Sequence, residues 1–169
     1  CMVGKVPFSR WDVDAVTAWD PTLSDEVKCR MMWGGFVHDL ELFDNSFFNI
    51  SPAEASTMDP QQRLLLNYSY LAFVDAGYDK GSLHNTNVGV FVGVMASDVN
   101  DIALSPQQHP SIIPGRVSFT FGLKGPSTSF DTACSSSITA LHAGVRALQH
   151  KECEAALVSG VNAMLTHFG

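Results

Sequence analysis

The stretch Asp131-Thr132-Ala133-Cys134-Ser135-Ser136-Ser137 holds the residues best suited to covalent chemistry in this sequence. A thiol placed where a strand turns into a helix lies near the unsatisfied N–H groups and the positive dipole end of that helix, a setting that favours the thiolate. A thiolate is a nucleophile toward thioesters, and N–H groups of the same turn can stabilise the oxyanion formed under attack. Asp131 or Thr132 is expected to cap the helix, and the three serines leave the approach to sulfur open. The plain alternative is a buried cysteine acting as a small hydrophobe, the commoner fate of a lone thiol.

The elements that must hold this turn can be read around it. Ser127 to Thr132 is expected to be a short strand and Ser135 to His150 a helix. On that helix Ile138, Leu141, Val145 and Leu148 form one stripe, while Ala140, Ala143, Gly144 and Ala147 line another, so the helix is expected to be apolar on most sides and buried. Val88-Gly89-Val90-Phe91-Val92-Gly93-Val94 is apolar throughout and β-branched at every second position, as suits an interior strand of a parallel sheet; Ala155 to Val161 reads as another buried strand. Ser51-Pro52-Ala53-Glu54 is a capping box with proline at the first helical position, and Asp59-Pro60-Gln61-Gln62 repeats the logic. Helices are therefore expected at about 51–57 and 60–76, the second with an apolar face of Leu64, Leu65, Tyr68, Leu71 and Ala72. Pro106 to Pro114 reads as a loop, after which Pro114 opens a short helix that stops at Gly122. Residues 1–50 mix aromatics with turn formers without a sustained period and read as an irregular segment. Strand, helix, strand, helix, strand gives an α/β chain.

Composition narrows the function. The 169 residues are 46% hydrophobic and 10% aromatic, values of a folded domain rather than a disordered chain. Only 16% are charged, and 17 acids against 10 bases give a net charge of −7, which leaves no broad basic surface for nucleic acid. The longest apolar run, Val88 to Ala96, falls far short of the roughly 20 residues that a membrane-crossing helix needs. Cys1, Cys29, Cys134 and Cys153 show neither disulfide-framework nor zinc-ligand spacing, which fits a reducing, cytoplasmic compartment and no bound metal. Both ends read as cut, so a part of a longer domain is expected.

No local histidine is placed to assist Cys134. His142 lies eight residues beyond it on the same helix, about 12 Å along the axis. His38, His84, His109, His150 and His167 read as surface residues, Cys29 and Cys153 as structural ones. Lys124 and Arg116 are candidate docking charges for an acidic partner, with plain exposed charge the commoner explanation.

Asp131-Thr132-Ala133-Cys134-Ser135-Ser136-Ser137 with Ala140-Leu141-His142 resembles the active-site motif of β-ketoacyl synthase domains in polyketide synthases and type I fatty acid synthases. The same family is matched by Val6-Pro7 with Arg10-Trp11-Asp12, by Trp33-Gly34-Gly35-Phe36, by the block from Met58-Asp59-Pro60-Gln61-Gln62-Arg63 to Leu66, and by Gly122-Leu123-Lys124-Gly125-Pro126-Ser127. The resemblance covers nearly the whole chain and implies a thiolase-like layered α/β fold (αβαβα), with residues 1–169 an incomplete N-terminal half. It implies that Cys134 takes an acyl group from a phosphopantetheine thioester, and that malonyl or methylmalonyl on an acyl carrier protein then decarboxylates and attacks the acyl enzyme. No directly bound cofactor is implied, since the phosphopantetheine belongs to the carrier partner. Cysteine rather than glutamine at position 134 implies an extending role instead of a decarboxylating loading role. The family's two catalytic histidines lie in later motifs that this sequence does not contain.

The resemblance further implies a homodimer paired through the strand before Cys134. It also implies a five-stranded sheet in each half, whose central strand, before Cys1, is the shared neighbour of the strands at Val88 to Val94 and Ala155 to Val161. Competing expectations are a thiolase-fold enzyme acting on a coenzyme A thioester, a cysteine-dependent acyl hydrolase, and a non-catalytic interaction domain.

Overall fold

The computed structural model describes residues 3–95 and 109–166, which fall into two compact units. In the first, residues 3–39 and 163–166, strand β1 (Val3–Lys5) pairs antiparallel with β2 (Trp33–Gly35). Between them, α1 (Val13–Trp19) is capped by the Asp12 carboxylate, which accepts the N–H groups of Asp14 at 3.0 Å and Ala15 at 3.2 Å, and α2 (Asp25–Met31) is capped by Ser24. Trp11 meets Phe36 edge to face, and the Arg10 guanidinium donates to the Met164 carbonyl at 2.8 Å. The early segment is thus regular in part, over residues 3–35, and irregular as expected over residues 36–50. Its strands of three residues and helices of seven are too short to carry a visible period.

The second unit, residues 40–162 in its described part, is built on a parallel sheet in the order β4-β3-β5. Its strands are β3 (Val88–Val94), β4 (Ser127–Phe130) and β5 (Ala155–Val161). β3 pairs directly with β5 from Val88↔Ala155 to Val94↔Val161. The expectation of a further strand between them is overturned, because β3 offers one edge to β5 and the other to β4.

All seven residues of β3 are buried, and alternation sorts them between two layers. Val88, Val90, Val92 and Val94 join the core made with α3 (Pro52–Thr57), α4 (Pro60–Asp75) and α5 (Ile113–Phe121). Phe91 points the other way, into a cluster with Ala140, Ala147 and Cys153 around α6 (Ser136–Gln149). In the first layer Phe121 is nearly fully buried, with ring centroids 5.5 Å from Phe73 and 6.2 Å from Phe48 and Tyr70. As expected, α5 carries proline in its first turn and ends at Gly122, whose φ of 70° provides the left-handed C-cap. A 3₁₀ turn at Pro110–Ile112 precedes it; residues 106–108 of the expected loop lie outside the described residues.

Both amphipathic expectations need correction. α4 buries Gln61, Gln62, Leu65, Leu66, Ser69 and Phe73, while Tyr68, Leu71 and Ala72 are exposed and Leu64 is half-buried. Apolar residues lie on both faces of that helix, so the pattern could not choose between them. α6 is not buried all round: Ala140, Gly144 and Ala147 pack against the sheet, whereas Ile138, Leu141, Val145 and Leu148 are between 41% and 67% exposed.

The Met58-to-Arg63 block is structural. Met58, Asp59, Gln61 and Gln62 are all 1% exposed, and the Asp59 carboxylate caps α4 by accepting the Gln61 N–H at 2.7 Å. Burial draws the Arg63 guanidinium below its ordinary basicity, opposed by the nearby charges of Asp59 and Glu41. Among the described residues no helix is long and apolar enough to cross a membrane.

Replacing Phe121 by Ala should lower stability by about 3–5 kcal/mol, because the ring fills a site walled by three other aromatics. Urea unfolding followed by circular dichroism checks this; a loss under about 1 kcal/mol would show that the first layer repacks freely.

Candidate active site

β4 ends at Phe130, and the chain then turns through Asp131 to Ser135 before α6 begins. Ala133, immediately before Cys134, has φ of 55°, a left-handed conformation that costs a residue with a Cβ about 1–2 kcal/mol. Short polar bonds hold it there. The Asp131 carboxylate accepts the Ala133 N–H at 3.2 Å. The Ser136 hydroxyl accepts the Thr132 N–H at 2.9 Å and donates to the Ala133 carbonyl at 2.7 Å. The Ser135 hydroxyl donates to the Thr132 carbonyl at 2.8 Å, and the Thr132 and Thr139 hydroxyls lie 3.0 Å apart.

These contacts correct the capping expectation. Ser135 occupies the N-cap position of α6 without a side-chain cap bond, and Asp131 and Thr132 brace the turn instead of capping the helix. They also narrow the choice of oxyanion donors. The N–H groups of Ala133, Ser135 and Ser136 are already taken, by the Asp131 carboxylate and by the carbonyls of Thr132 at 3.3 Å and Ala133 at 3.1 Å.

Cys134 is exposed, unlike an inert core thiol, and it borders a cleft of about 470 Å³. The walls come from the end of β3 (Gly93, Val94, then Met95), the start of α6 (Ser136, Ser137) and the end of β5 (Gly160, Val161, then Asn162). The thiol therefore sits at the carboxyl ends of parallel strands, where open α/β sheets leave a crevice for ligands. Two glycines let the helix start come this close. A Cβ on Gly93 would lie 2.5 Å from the Ser136 carbonyl carbon and the Ser137 nitrogen, and one on Gly160 would lie 2.7 Å from the Ser137 Cβ. Neither glycine was singled out in the sequence, although glycine inside an otherwise β-branched strand is a signal of close backbone approach.

Among the described residues, none of the other expected candidates lines this cleft. His38, His84, His109, His142 and His150 are exposed; His150 lies 2.9 Å from an Arg146 guanidinium nitrogen and His109 2.8 Å from the Ser111 hydroxyl. His167 and Cys1 lie outside the described residues. Cys153 is buried, as a structural thiol should be, but Cys29 is exposed on α2, so its reading as a packed residue is corrected. Arg116 is not an open docking charge. Its side chain is 12% exposed and pairs with Glu54 at 2.5 Å, tying α5 to α3. Lys124 is exposed. Among the described residues no group of three His, Cys, Asp or Glu side chains could hold a metal ion.

A solvent-facing cysteine on a strand-to-helix turn, above a parallel sheet with helices on both faces, is the arrangement of a thiolase-like α/β fold. The chain belongs to the β-ketoacyl synthase family: the model of that family's N-terminal domain matches residues 1–169. It is 45% identical over 166 residues to the pikromycin polyketide synthase component PikAII of Streptomyces venezuelae, a match covering 92% of this chain and 4% of that protein. Against polyketide synthase ThaG of Burkholderia thailandensis it is 44% identical over 169 residues, covering 95% of this chain and 3% of the relative. Among solved structures, a ketosynthase from module 6 of the bacillaene synthase of Bacillus subtilis 168 superposes with a TM-score of 0.86 at 39% identity, covering 97% of this chain and 28% of that one. An oxazolomycin ketosynthase domain of Streptomyces albus JA3453 gives 0.82 at 34% identity, covering 98% of this chain and 30% of its own. The chain thus spans a few per cent of these synthases and under a third of the ketosynthase chains, and its fold is the N-terminal part of theirs.

Exposure orders the thiols. Limiting iodoacetamide should modify Cys134 and Cys29 at least about tenfold faster than Cys153, because a buried thiol is reached only by opening. Peptide mapping reads the three sites, and equal labelling of Cys153 would contradict the packing around Phe91.

Proposed function

We propose that this chain carries the acyl-accepting part of a polyketide synthase ketosynthase, with Cys134 as the catalytic nucleophile. The observation that carries the reading is an exposed thiol on a braced turn, opening into a cleft at the strand ends. The Cys134 thiolate attacks the carbonyl of an acyl thioester. A new carbon–sulfur bond forms, the bond to the phosphopantetheine sulfur breaks, and that sulfur leaves as a thiolate that takes up a proton. A malonyl or methylmalonyl group on an acyl carrier protein then loses carbon dioxide. Its carbanion attacks the acyl carbon and releases Cys134, leaving a β-ketoacyl chain on the carrier. The phosphopantetheine arrives with the carrier, so this half-domain needs no resident cofactor, and its thiols suit a reducing, cytoplasmic setting.

Two surfaces fit the same reading. The exposed apolar stripe of α6 is what the middle helix layer of an αβαβα domain presents to the second half of that domain. β4 lies at an outer edge of the described sheet, and homodimer pairing there would cover an open strand edge.

With the full-length protein and butyryl-pantetheine as acyl donor, label should appear on Cys134 and be absent from Cys134→Ala. Malonyl carrier protein should then yield a β-ketoacyl product that the variant does not make. Acyl transfer to water alone would favour the hydrolase, turnover with malonyl-coenzyme A but not malonyl carrier protein the coenzyme A enzyme, and label on Cys29 would sink the assignment. Light scattering at micromolar concentration should report a dimer; a stable monomer would remove the β4 pairing.

A further inference from the structure

The Ser136 side chain is buried at 7% exposure in a turn whose other side chains are largely open to solvent. Its hydroxyl spans the turn, accepting the Thr132 N–H at 2.9 Å and donating to the Ala133 carbonyl at 2.7 Å. The two bonded groups flank the φ rotation of Ala133, the residue held at 55°. Releasing them would leave Ala133 held only by the Asp131 carboxylate on its N–H at 3.2 Å and by the Ser136 N–H on its carbonyl at 3.1 Å, a weaker hold against the negative φ that residues with a Cβ prefer, and rotation toward that region would swing Cys134 away from the cleft. The helix start cannot follow to compensate. The backbone of Ser136 and Ser137 already rests on Gly93, at distances where even a Cβ would collide.

We propose that Ser136 is a positioning residue for Cys134: its hydroxyl clamps Ala133 in the left-handed conformation and so aims the thiol into the cleft. The proposal rests on the reading of Cys134 as the acyl acceptor. Ser136 touches no reacting atom in this scheme. It acts through the backbone on either side of the Ala133 φ rotation, at Thr132 and Ala133, so its loss should be relieved by a residue that adopts positive φ without a Cβ penalty. Glycine at position 133 is that residue.

The test uses the full-length protein as wild type, Ser136→Ala, Ala133→Gly and the double variant, with butyryl-pantetheine in single-turnover acylation. Ser136→Ala should slow the saturating rate by about tenfold or more with little change in the donor concentration at half-saturation, since orientation and not binding is lost. The double variant should recover most of that loss. Alkylation of exposed Cys29 should keep its wild-type rate in every variant, which separates a local swing of Cys134 from general loosening. If Ser136→Ala fails to fold, the same comparison is made on folding, and glycine at 133 should restore it. An unchanged rate in Ser136→Ala, or a defect that glycine at 133 leaves in place, overturns the clamp. Wild-type acylation absent from Cys134 would overturn instead the reading beneath it.

Discussion

The architecture depends on how closely α6 approaches the sheet. Gly93 meets the backbone of Ser136 and Ser137, Gly144 admits the Val158 side chain, and Ala140 and Ala147 fill the rest of the contact without bulk. A Cβ on Gly144 would lie 2.7 Å from the Val158 Cγ2, so a methyl group there would require the Val158 side chain or the helix to shift. Because packed interiors transmit such displacements, the height of α6 over β3 and β5 also sets the height of the Cys134 turn. The seam of small residues is therefore part of the site geometry as much as of the core.

The opposite face of β3 works by different means. There valines meet large aromatic and aliphatic side chains from α4 and α5, and stability comes from area removed from water rather than from intimate backbone contact. One strand thus alternates between a bulky face that holds the unit together and a near-bare face that lets a helix descend. Replacing Val90 and replacing Gly93 would fail for opposite reasons, the first by opening a cavity and the second by overpacking.

Much of this was legible in the sequence, because several signals are local. Proline in the first turn of α3, α4 and α5, glycine after α5, and the unbroken apolar run of β3 are read within a few residues. The position of Cys134 between a strand and a helix was legible for the same reason. What failed depends on which neighbour an element meets. α6 offers a large-residue stripe and a small-residue stripe, and hydrophobicity favours the large one; the sheet takes the small one because only that face allows close approach. The brace of the turn was hidden too. Asp131 and Thr132 are good cap residues, but a left-handed Ala133 redirects their bonds into the turn, and nothing in an alanine's identity announces positive φ.

Cys134 sits on a turn between two regular elements, and this suits a thiol that must face solvent. A thiol on the inner stripe of α6 would be buried against the sheet, as Ala140 and Ala147 are, and one on β3 would be buried whichever way it pointed. The turn between β4 and α6 leaves Cys134 exposed, yet it is not loose. Serine and threonine hydroxyls tie it at Thr132 and Ala133, and two glycines seat the helix start directly on the strands. A site on loop residues gains precision when rigid elements fix both ends and short polar bonds fix the middle. The strain held at Ala133 is then a consequence of pointing sulfur outward over a helix start pressed this tightly against the sheet, with the folding energy of the valine face offsetting it.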